Sequence, residues 1–272
     1  MKNLTRIVAL MMLIVMLLAP AALADDAKKQ LRVGMECNYA PFNWTQAEDS
    51  ENAVPLAGGG YADGYDVRIA QRVADYLGYE LEVVKTEWDG LIMSLISGDI
   101  DCIIAGMSPT EERKVTIDFT EPYYESELCV VVMKDGAYAN AASLADFSGA
   151  KITGQLNTFH YTVIDQIPDV KKMPAMETFP AMIVALTAGA IDGYISERPG
   201  AVSAMTSNPD ITYVAFEQGK GFEASPADVA IAVGVVKGSD LTEKINGVLA
   251  GITAQERSDL MDAAVAAQPL SE

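Results

Sequence analysis

A stretch of the chain recurs at a fixed spacing. Residues 88–101 have the sequence WDGLIMSLISGDID, and residues 179–192 have the sequence FPAMIVALTAGAID. The offset is 91 residues throughout, and the aromatic residue, Ile, Leu, Gly, Ile and Asp recur in register. Each copy predicts a helix, a glycine at its end, and then a strand that begins with Ile-Asp.

This repeat predicts two lobes of similar construction, each with its own sheet. The alternative is a chance resemblance between two amphipathic helix–strand units. Two lobes enclose a cleft, and small ligands bind at domain interfaces. The apolar runs Leu128–Met133 and Val229–Val236 are candidate links between the lobes. Lobe 1 is then predicted at 31–130 plus 232–272, and lobe 2 at 131–231.

The order of the predicted elements gives the fold class. Short apolar runs predict strands, at Leu31–Met35, Leu81–Val84 and Ile100–Ala105. Two amphipathic helices are predicted, over 66–77 with Asp66 as its cap and over Trp88–Ser97. The Gly-rich segment Thr45–Gly64 predicts a long loop. Strands that alternate with helices predict an α/β fold with mostly parallel sheets flanked by helices.

The first residues have the features of a secretory signal peptide. Lys2 and Arg6 precede an almost wholly apolar run, Ile7–Leu18, and Ala22-Leu23-Ala24 fits the small-x-small cleavage pattern. We expect cleavage after Ala24 and a mature protein that is periplasmic or secreted. The alternative is a membrane anchor, for which the apolar run is short.

The positions of the cysteines indicate whether the exported chain carries a lipid anchor or a disulfide. Cys37, Cys102 and Cys129 all lie too far from the apolar run for a lipid attachment site, so we expect a protein without a lipid anchor. An odd number leaves one thiol unpaired. Because Cys102 and Cys129 lie in apolar runs, we expect buried thiols and no structural disulfide.

Charge and composition exclude several classes of function. The net charge is −19, and removal of Lys2 and Arg6 with the signal peptide makes it −21, which argues against binding to nucleic acid. His160 is the only histidine and is expected at the surface or at a helix start. No group of residues has the spacing of metal ligands, no cofactor is predicted, and no feature supports a catalytic Ser-His or Cys-His pair.

The segment after the strand Ile100–Ala105 has the pattern of an anion site. Ser108 is a candidate helix N-cap, Pro109 then takes the first helical position, and Glu111 completes a capping box. A helix N-terminus presents free N–H groups to an anion, and Arg113, one turn further, suits a carboxylate. The alternative is an ordinary capped helix with a solvated arginine.

The second copy of the repeat ends differently. Glu197 follows the predicted strand of lobe 2, so it places a carboxylate where lobe 1 places its anion site. A cation site and an anion site that face each other across a cleft suit a zwitterion. The alternative is a surface glutamate beside Arg198.

Short motifs along nearly the whole mature chain resemble the polar amino-acid family of extracellular solute-binding proteins of ABC transporters. Their order and spacing carry the resemblance, more than any single motif. They are Leu31–Gly34, Tyr39–Phe42, Gly64–Val67, Trp88–Leu91, Gly98–Asp101, Ala105–Arg113, Phe119–Tyr124, Gly154–Thr158 and Lys237-Gly238. The resemblance implies the type 2 periplasmic-binding-protein fold, two lobes joined by hinge strands.

The resemblance also implies a role for each candidate residue. Arg113 would bind the carboxylate of a free L-amino acid, with Ser108, Thr110 and the backbone N–H of Thr158. Glu197 and the Gly106 carbonyl would bind the α-ammonium, although the family usually has Asp where Glu197 stands. Tyr39 and Trp88 would line the pocket, and Glu36 would lie near the end of the ligand side chain.

The expected partners are a free amino acid and an ABC transporter permease, with the protein as a monomer. A ligand that bridges the lobes would stabilise the closed state. One alternative is a secreted enzyme of the same fold, a cyclic-carboxylate dehydratase, with Glu36 or Glu197 as the general acid. Another is the sensor domain of a receptor, which would need a further membrane or signalling segment.

Overall fold

The computed structural model describes residues 29–269. The predicted signal peptide and its cleavage point lie outside the described residues. Within them, no helix is long and apolar enough to cross a bilayer. The strands are β1 (Gln30–Met35), β2 (Asn38–Tyr39), β3 (Asn43–Gln46), β4 (Val54–Pro55), β5 (Tyr61–Asp63), β6 (Glu80–Lys85), β7 (Cys102–Ile103), β8 (Asp118–Glu125), β9 (Leu128–Met133), β10 (Lys151–Thr153), β11 (Lys171–Lys172), β12 (Gly193–Glu197), β13 (Ile211–Val214) and β14 (Ala230–Val235).

Helices separate most of the parallel strands. The α-helices are α1 (Tyr65–Leu77), α2 (Leu91–Ser97), α3 (Glu111–Thr116), α4 (Phe159–Thr162), α5 (Phe179–Thr187), α6 (Arg198–Ser207), α7 (Pro226–Val229), α8 (Leu241–Ala250) and α9 (Ala254–Ala267). Short 3₁₀ turns lie at Trp88–Gly90, Leu144–Phe147 and Val163–Gln166.

Two five-stranded sheets have the same topology. The first has the order β6-β1-β7-β14-β8, and the second has the order β11-β10-β12-β9-β13. In each, three parallel strands are followed by one antiparallel strand, β14 or β9, and then by a strand that pairs antiparallel with it. The predicted α/β fold of two similar lobes is confirmed, with one antiparallel strand in each sheet.

The repeat has the same structural role in both lobes. Gly98 and Gly189 end the repeat helices with positive φ angles of 81° and 73°. Asp101 Oδ2 accepts the N–H of Arg32 in β1 at 2.8 Å, and Asp192 Oδ2 accepts the N–H of Lys151 in β10 at 2.8 Å. Each aspartate therefore joins its repeat unit to the first strand of its own sheet.

The two segments of chain that connect the sheets lie side by side. Strand β9 belongs wholly to the second sheet and β14 wholly to the first, so the crossings lie between β8 and β9 and between β13 and β14. At these crossings the N–H of Ser126 donates to the carbonyl of Val229 at 3.0 Å. The division of the lobes at 130/131 and 231/232 stays a prediction.

The predicted loop Thr45–Gly64 is wrong in part. It contains β4 and β5, which join β2 and β3 in a small antiparallel sheet of order β2-β3-β5-β4. These strands have two to four residues each, too few to show a two-residue periodicity in the sequence. The small sheet carries Tyr39 at the end of β2.

Two predicted helix caps are also wrong. The N-cap of α1 is Gly64, whose φ of 137° suits glycine, and Asp66 lies within the first turn with its carboxylate buried. The N-cap of α3 is Thr110, whose hydroxyl accepts the N–H of Arg113 at 3.4 Å, so Ser108 and Pro109 precede the helix. Ser/Thr caps act at two or three residues' distance, so neighbouring hydroxyls compete for this role.

All three cysteines lie in the core. Cys37, Cys102 and Cys129 are free thiols with at most 1% of their surface exposed. Burial raises the pKa of the Cys37 thiol to about 12 and that of the other two still further.

Candidate functional site

The candidate residues converge where the two lobes meet. Six of the nine predicted residues line one small cavity: Tyr39, Trp88, Gly106, Ser108, Arg113 and Thr158. Thr110 lies beside Arg113 on the wider groove at the mouth of the cleft. Glu36 and Glu197 join the cavity through the hydrogen bonds described below.

Arg113 projects from the first turn of α3 into this cavity. Its guanidinium donates to the Ser108 carbonyl at 2.9 Å and, across the cleft, to the Asn157 carbonyl at 3.2 Å. It also lies over the Trp88 ring, 5.1 Å from the centroid. Burial lowers the pKa of Arg113 to about 10, so it stays charged at neutral pH. Within residues 29–269 no ion pair involves this cation.

Glu197 lies at the end of β12, directly before α6, and is 2% exposed. Its Oε2 accepts the hydroxyl of Tyr39 at 2.6 Å, a bond that joins lobe 2 to the small sheet of lobe 1. Burial raises the pKa of the Glu197 carboxyl to about 7, and the bond from Tyr39 opposes that rise. The glutamate thus lies in the cleft, as its place in the second repeat predicts, and not at the surface.

Glu36 follows β1 and is equally buried. Its oxygens accept the side-chain amide of Gln155 at 3.0 and 3.3 Å, again across the cleft. Burial raises the pKa of this carboxyl to about 7, and nearby Glu87 and Asp89 add to the rise. The hydrogen-bond partner of this carboxylate is thus an amide of the other lobe, and within residues 29–269 no ion pair joins it.

A buried polar network positions the lobe 1 residues. The N–H of Gly106 donates to the Tyr123 hydroxyl at 3.2 Å, and that hydroxyl donates to Asp66 at 2.8 Å. Asp66 also accepts the amide of Asn43, whose oxygen accepts the N–H of Cys37. This network connects the Gly106 turn to the turn between Glu36 and Tyr39, so both edges of the cavity are fixed by one set of bonds.

Gly106 is a position where only glycine fits. Its φ is +63°, and a Cβ there would lie 2.9 Å from the Tyr39 ring. Tyr39 in turn stacks on Phe179 of α5, with ring centroids 4.2 Å apart. The aromatic wall of the cavity therefore spans both lobes.

Several residues at the site were not predicted from the sequence. Gln155, Phe159, His160 and Asp228 line the cavity, and Phe179 packs behind Tyr39. Phe179 had a signal in the sequence, because it is the repeat counterpart of Trp88. His160 is the second residue of α4 and lies half-buried against Phe179, so it is at a helix start. Its buried Nδ1 has no hydrogen-bond partner among residues 29–269, and burial and Arg113 lower the pKa of the imidazole to about 4.

Thr158 is buried as the residue before α4. Its hydroxyl donates to the Gln155 carbonyl at 2.7 Å, which shapes the turn that faces Arg113. Ser108 does not cap a helix; its backbone carbonyl accepts a hydrogen bond from Arg113. Among the described residues, no cluster of His, Cys, Asp and Glu could hold a metal ion.

Known proteins share both the sequence pattern and the fold. Residues 31–263 match the family model of bacterial extracellular solute-binding proteins, family 3. A probable histidine-binding protein of Campylobacter jejuni is 31% identical over 71% of this chain and 70% of its own length. An arginine-binding extracellular protein of Bacillus subtilis is 28% identical over 83% of this chain and 82% of its own length. An amino-acid ABC transporter substrate-binding protein from Streptococcus pneumoniae, solved with L-arginine bound, superposes with a TM-score of 0.76 at 27% identity, over 87% of this chain and 94% of that one.

Proposed function

The chain belongs to the bacterial extracellular solute-binding proteins of family 3, and on that basis we propose that it captures a free amino acid and delivers it to the permease of an ABC transporter. It is a binding protein and not an enzyme, since its family and its relatives are binding proteins. The secreted dehydratase considered from the sequence is therefore set aside.

The charged side chains of the cleft indicate the class of ligand. Arg113 is a partly buried cation, and Glu36 and Glu197 are buried carboxyl groups, yet no ion pair within the described residues joins any of them. Unpaired charges in a low-dielectric site are costly, and such sites mark functional positions. A ligand with one carboxylate and two cationic groups would pair all three residues.

We infer that the ligand is an L-amino acid with a basic side chain. Its carboxylate would meet Arg113, its α-ammonium Glu197, and its side-chain cation Glu36, with the apolar stem between Tyr39 and Trp88. The names of the relatives support this class, since one binds arginine and one is probably a histidine binder.

Calorimetry with purified mature protein tests the proposal. L-Arginine or L-lysine should bind more tightly than L-glutamate or L-leucine. Tightest binding of glutamate or leucine would contradict the role given to Glu36, whereas binding of no amino acid would contradict the proposed function as a whole. Tightest binding of glutamine would support the alternative that Glu36 accepts an amide, as it does from Gln155 here.

We expect Glu36→Gln to lower the affinity for arginine by about 1–3 kcal/mol, because a charge-assisted hydrogen bond becomes a neutral one. Glutamine keeps the size of the side chain, so the fold should be unaffected. Glu82→Gln, on the edge strand β6 and outside the small cavity, is the matched control and should bind arginine as the wild type does. Equal arginine affinity in Glu36→Gln and the wild type would remove Glu36 from the site.

We expect the ligand to stabilise closure of the cleft. Its charged groups are satisfied by Arg113 in lobe 1 and Glu197 in lobe 2 together, and only the closed state brings both to one ligand. Small-angle scattering should show a smaller radius of gyration with saturating L-arginine. An unchanged radius despite binding would contradict the proposed division into two moving lobes, 31–130 plus 232–272 and 131–231.

We also propose that the protein is exported with its signal peptide removed and acts as a monomer. The charged start, the apolar run and Ala22-Leu23-Ala24 support cleavage after residue 24. N-terminal sequencing of the exported protein should begin near Asp25. Retention of residues 1–24 would favour the membrane-anchor alternative.

A further inference from the structure

The last helix of the described chain touches both halves of the molecule. Helix α9 packs against α1, which lies on β6 of the first sheet, and also against α6, which lies on β9 and β13 of the second sheet. The end of α9 is therefore a further connection between the lobes, in addition to the two crossings of the chain. Unlike those crossings, it is made by side chains and can be released.

The first turn of α9 is fixed to lobe 1. Arg257 donates to the carbonyl of Pro122 in β8 at 2.9 Å, and to the carbonyls of Leu249 and Ile252 at 2.8 and 3.2 Å. Hydrogen bonds from a charged donor are stronger than those between neutral groups. The start of α9 therefore moves with the first sheet.

Two contacts with α1 give the direction of α9. Glu256 pairs with Arg72 at 3.7 Å, and one turn further the carbonyl of Leu260 accepts a hydrogen bond from Arg68 at 3.2 Å. Because the numbers rise along α9 as they fall along α1, the two helices are antiparallel. The first turn of α1 carries Asp66 of the network beside the cavity. Helix α9 thus ends on the side of lobe 1 that faces lobe 2.

The residue after α9 bonds to a helix of lobe 2. The side-chain amide of Gln268 donates to the Ser203 carbonyl at 3.2 Å, and its oxygen accepts the Ser203 hydroxyl. Gln268 is 6% exposed and Ser203 is 4% exposed. This pair of bonds is made with the lobes in the arrangement that also brings Gln155 to Glu36 across the cleft. Two bonds shielded from water hold for a narrow range of lobe separations.

The position of Ser203 connects this contact to the cleft. Helix α6 begins directly after Glu197, so Ser203 lies about 9 Å further along the same helix. Gln268 and Ser203 both lie outside the small cavity. A change at either residue can therefore alter how the lobes meet while the residues around the ligand stay the same.

We propose that the contact between Gln268 and Ser203 is a latch, which stabilises the closed arrangement of the lobes and so raises the affinity for the ligand from outside the cleft. A ligand that requires the closed state binds more weakly when that state is less populated. The latch adds to closure without touching the ligand, and it is released when the lobes separate. The proposal rests on the proposed binding of an amino acid with closure of the cleft.

Gln268→Ala and Ser203→Ala, singly and together, test the latch in the full mature chain. Each single variant should bind L-arginine about three- to tenfold more weakly, because the closed state loses buried hydrogen bonds. The loss should appear as faster dissociation in stopped-flow measurements. The double variant should be no weaker than the weaker single variant, since both substitutions remove one contact.

Melting temperatures separate the latch from a general role in the fold. The ligand-free variants should melt as the wild type does, because the latch is released in the open state, whereas the variants saturated with L-arginine should melt at a lower temperature. Gln255→Ala is the matched control. Gln255 lies on the same helix, is exposed and bonds to Asp259 of that helix, so its loss should leave arginine binding unchanged.

Three results would overturn the latch while leaving the proposed function in place. They are unchanged arginine binding in the double variant, tighter binding in it, which would mean that the contact opposes closure, and an equal fall of the melting temperature with and without L-arginine, which would make the contact merely structural. If the wild type binds no amino acid, the proposed function fails, and the latch proposal fails with it.

Discussion

Replacement of Arg113 by alanine is expected to weaken binding of L-arginine by about 2–5 kcal/mol, or about 30- to 5000-fold in Kd. The guanidinium is partly buried, and within the described part of the chain its hydrogen bonds go to the carbonyls of Ser108 and Asn157. A bound carboxylate would become its only anionic partner, and the alanine variant would leave that carboxylate desolvated and unpaired. Isothermal calorimetry measures the loss directly.

Glu112→Ala is the control for this substitution. Glu112 is the neighbouring residue of α3, but it is exposed and outside the small cavity. Its removal should change the affinity by no more than about twofold, as is usual for exposed charges. An Arg113→Ala variant whose affinity stays within about threefold of the wild type would refute the assigned role.

Binding of a basic amino acid is expected to weaken as the pH falls below 7. Burial raises the pKa of both Glu36 and Glu197 to about 7, so each carries a proton in the free protein at lower pH. The cationic ligand requires both carboxylates, so binding releases protons and the affinity rises with pH. Between pH 8 and pH 6 the affinity should fall by about tenfold for one such group and about 100-fold for two.

The control for this pH dependence takes account of the other charged groups near the two carboxyl groups. Glu36 faces Glu87, Asp89 and Lys85, and Glu197 faces Asp66. Burial and Arg113 lower the pKa of His160 to about 4, so it stays neutral through this range. Glu36→Gln should therefore remove about half of the pH dependence of log Kd. An affinity independent of pH between 6 and 8 would contradict the expected proton release.

The repeat made the overall architecture predictable. A helix that ends in glycine and leads into Ile-Asp requires a parallel strand beside it, and two such units predict two sheets. The structure gives the matching aspartates, Asp101 and Asp192, the same bonds to their first strands. The small sheet was not predicted, because strands as short as Val54–Pro55 depend on their partners rather than on periodicity.

The candidate residues could be predicted singly, but not their partners. Glu36 with Gln155 and Tyr39 with Glu197 are pairs separated by 119 and 158 residues. Such pairs depend on how the lobes meet, which no local pattern encodes. At position 197, where the family resemblance implies aspartate, the glutamate side chain accepts the hydroxyl of Tyr39.

The three buried thiols make the protein a convenient host for a site-specific reporter. Because a thiolate is the species that maleimides attack, and the pKa of each thiol is far above neutral, the native cysteines should resist alkylation while the fold is intact. A single cysteine placed at an exposed position on the wider groove, such as Glu112, would then carry an environment-sensitive dye alone. Fluorescence from that dye would follow the opening and closing of the cleft in solution, without removal of any natural residue from the core.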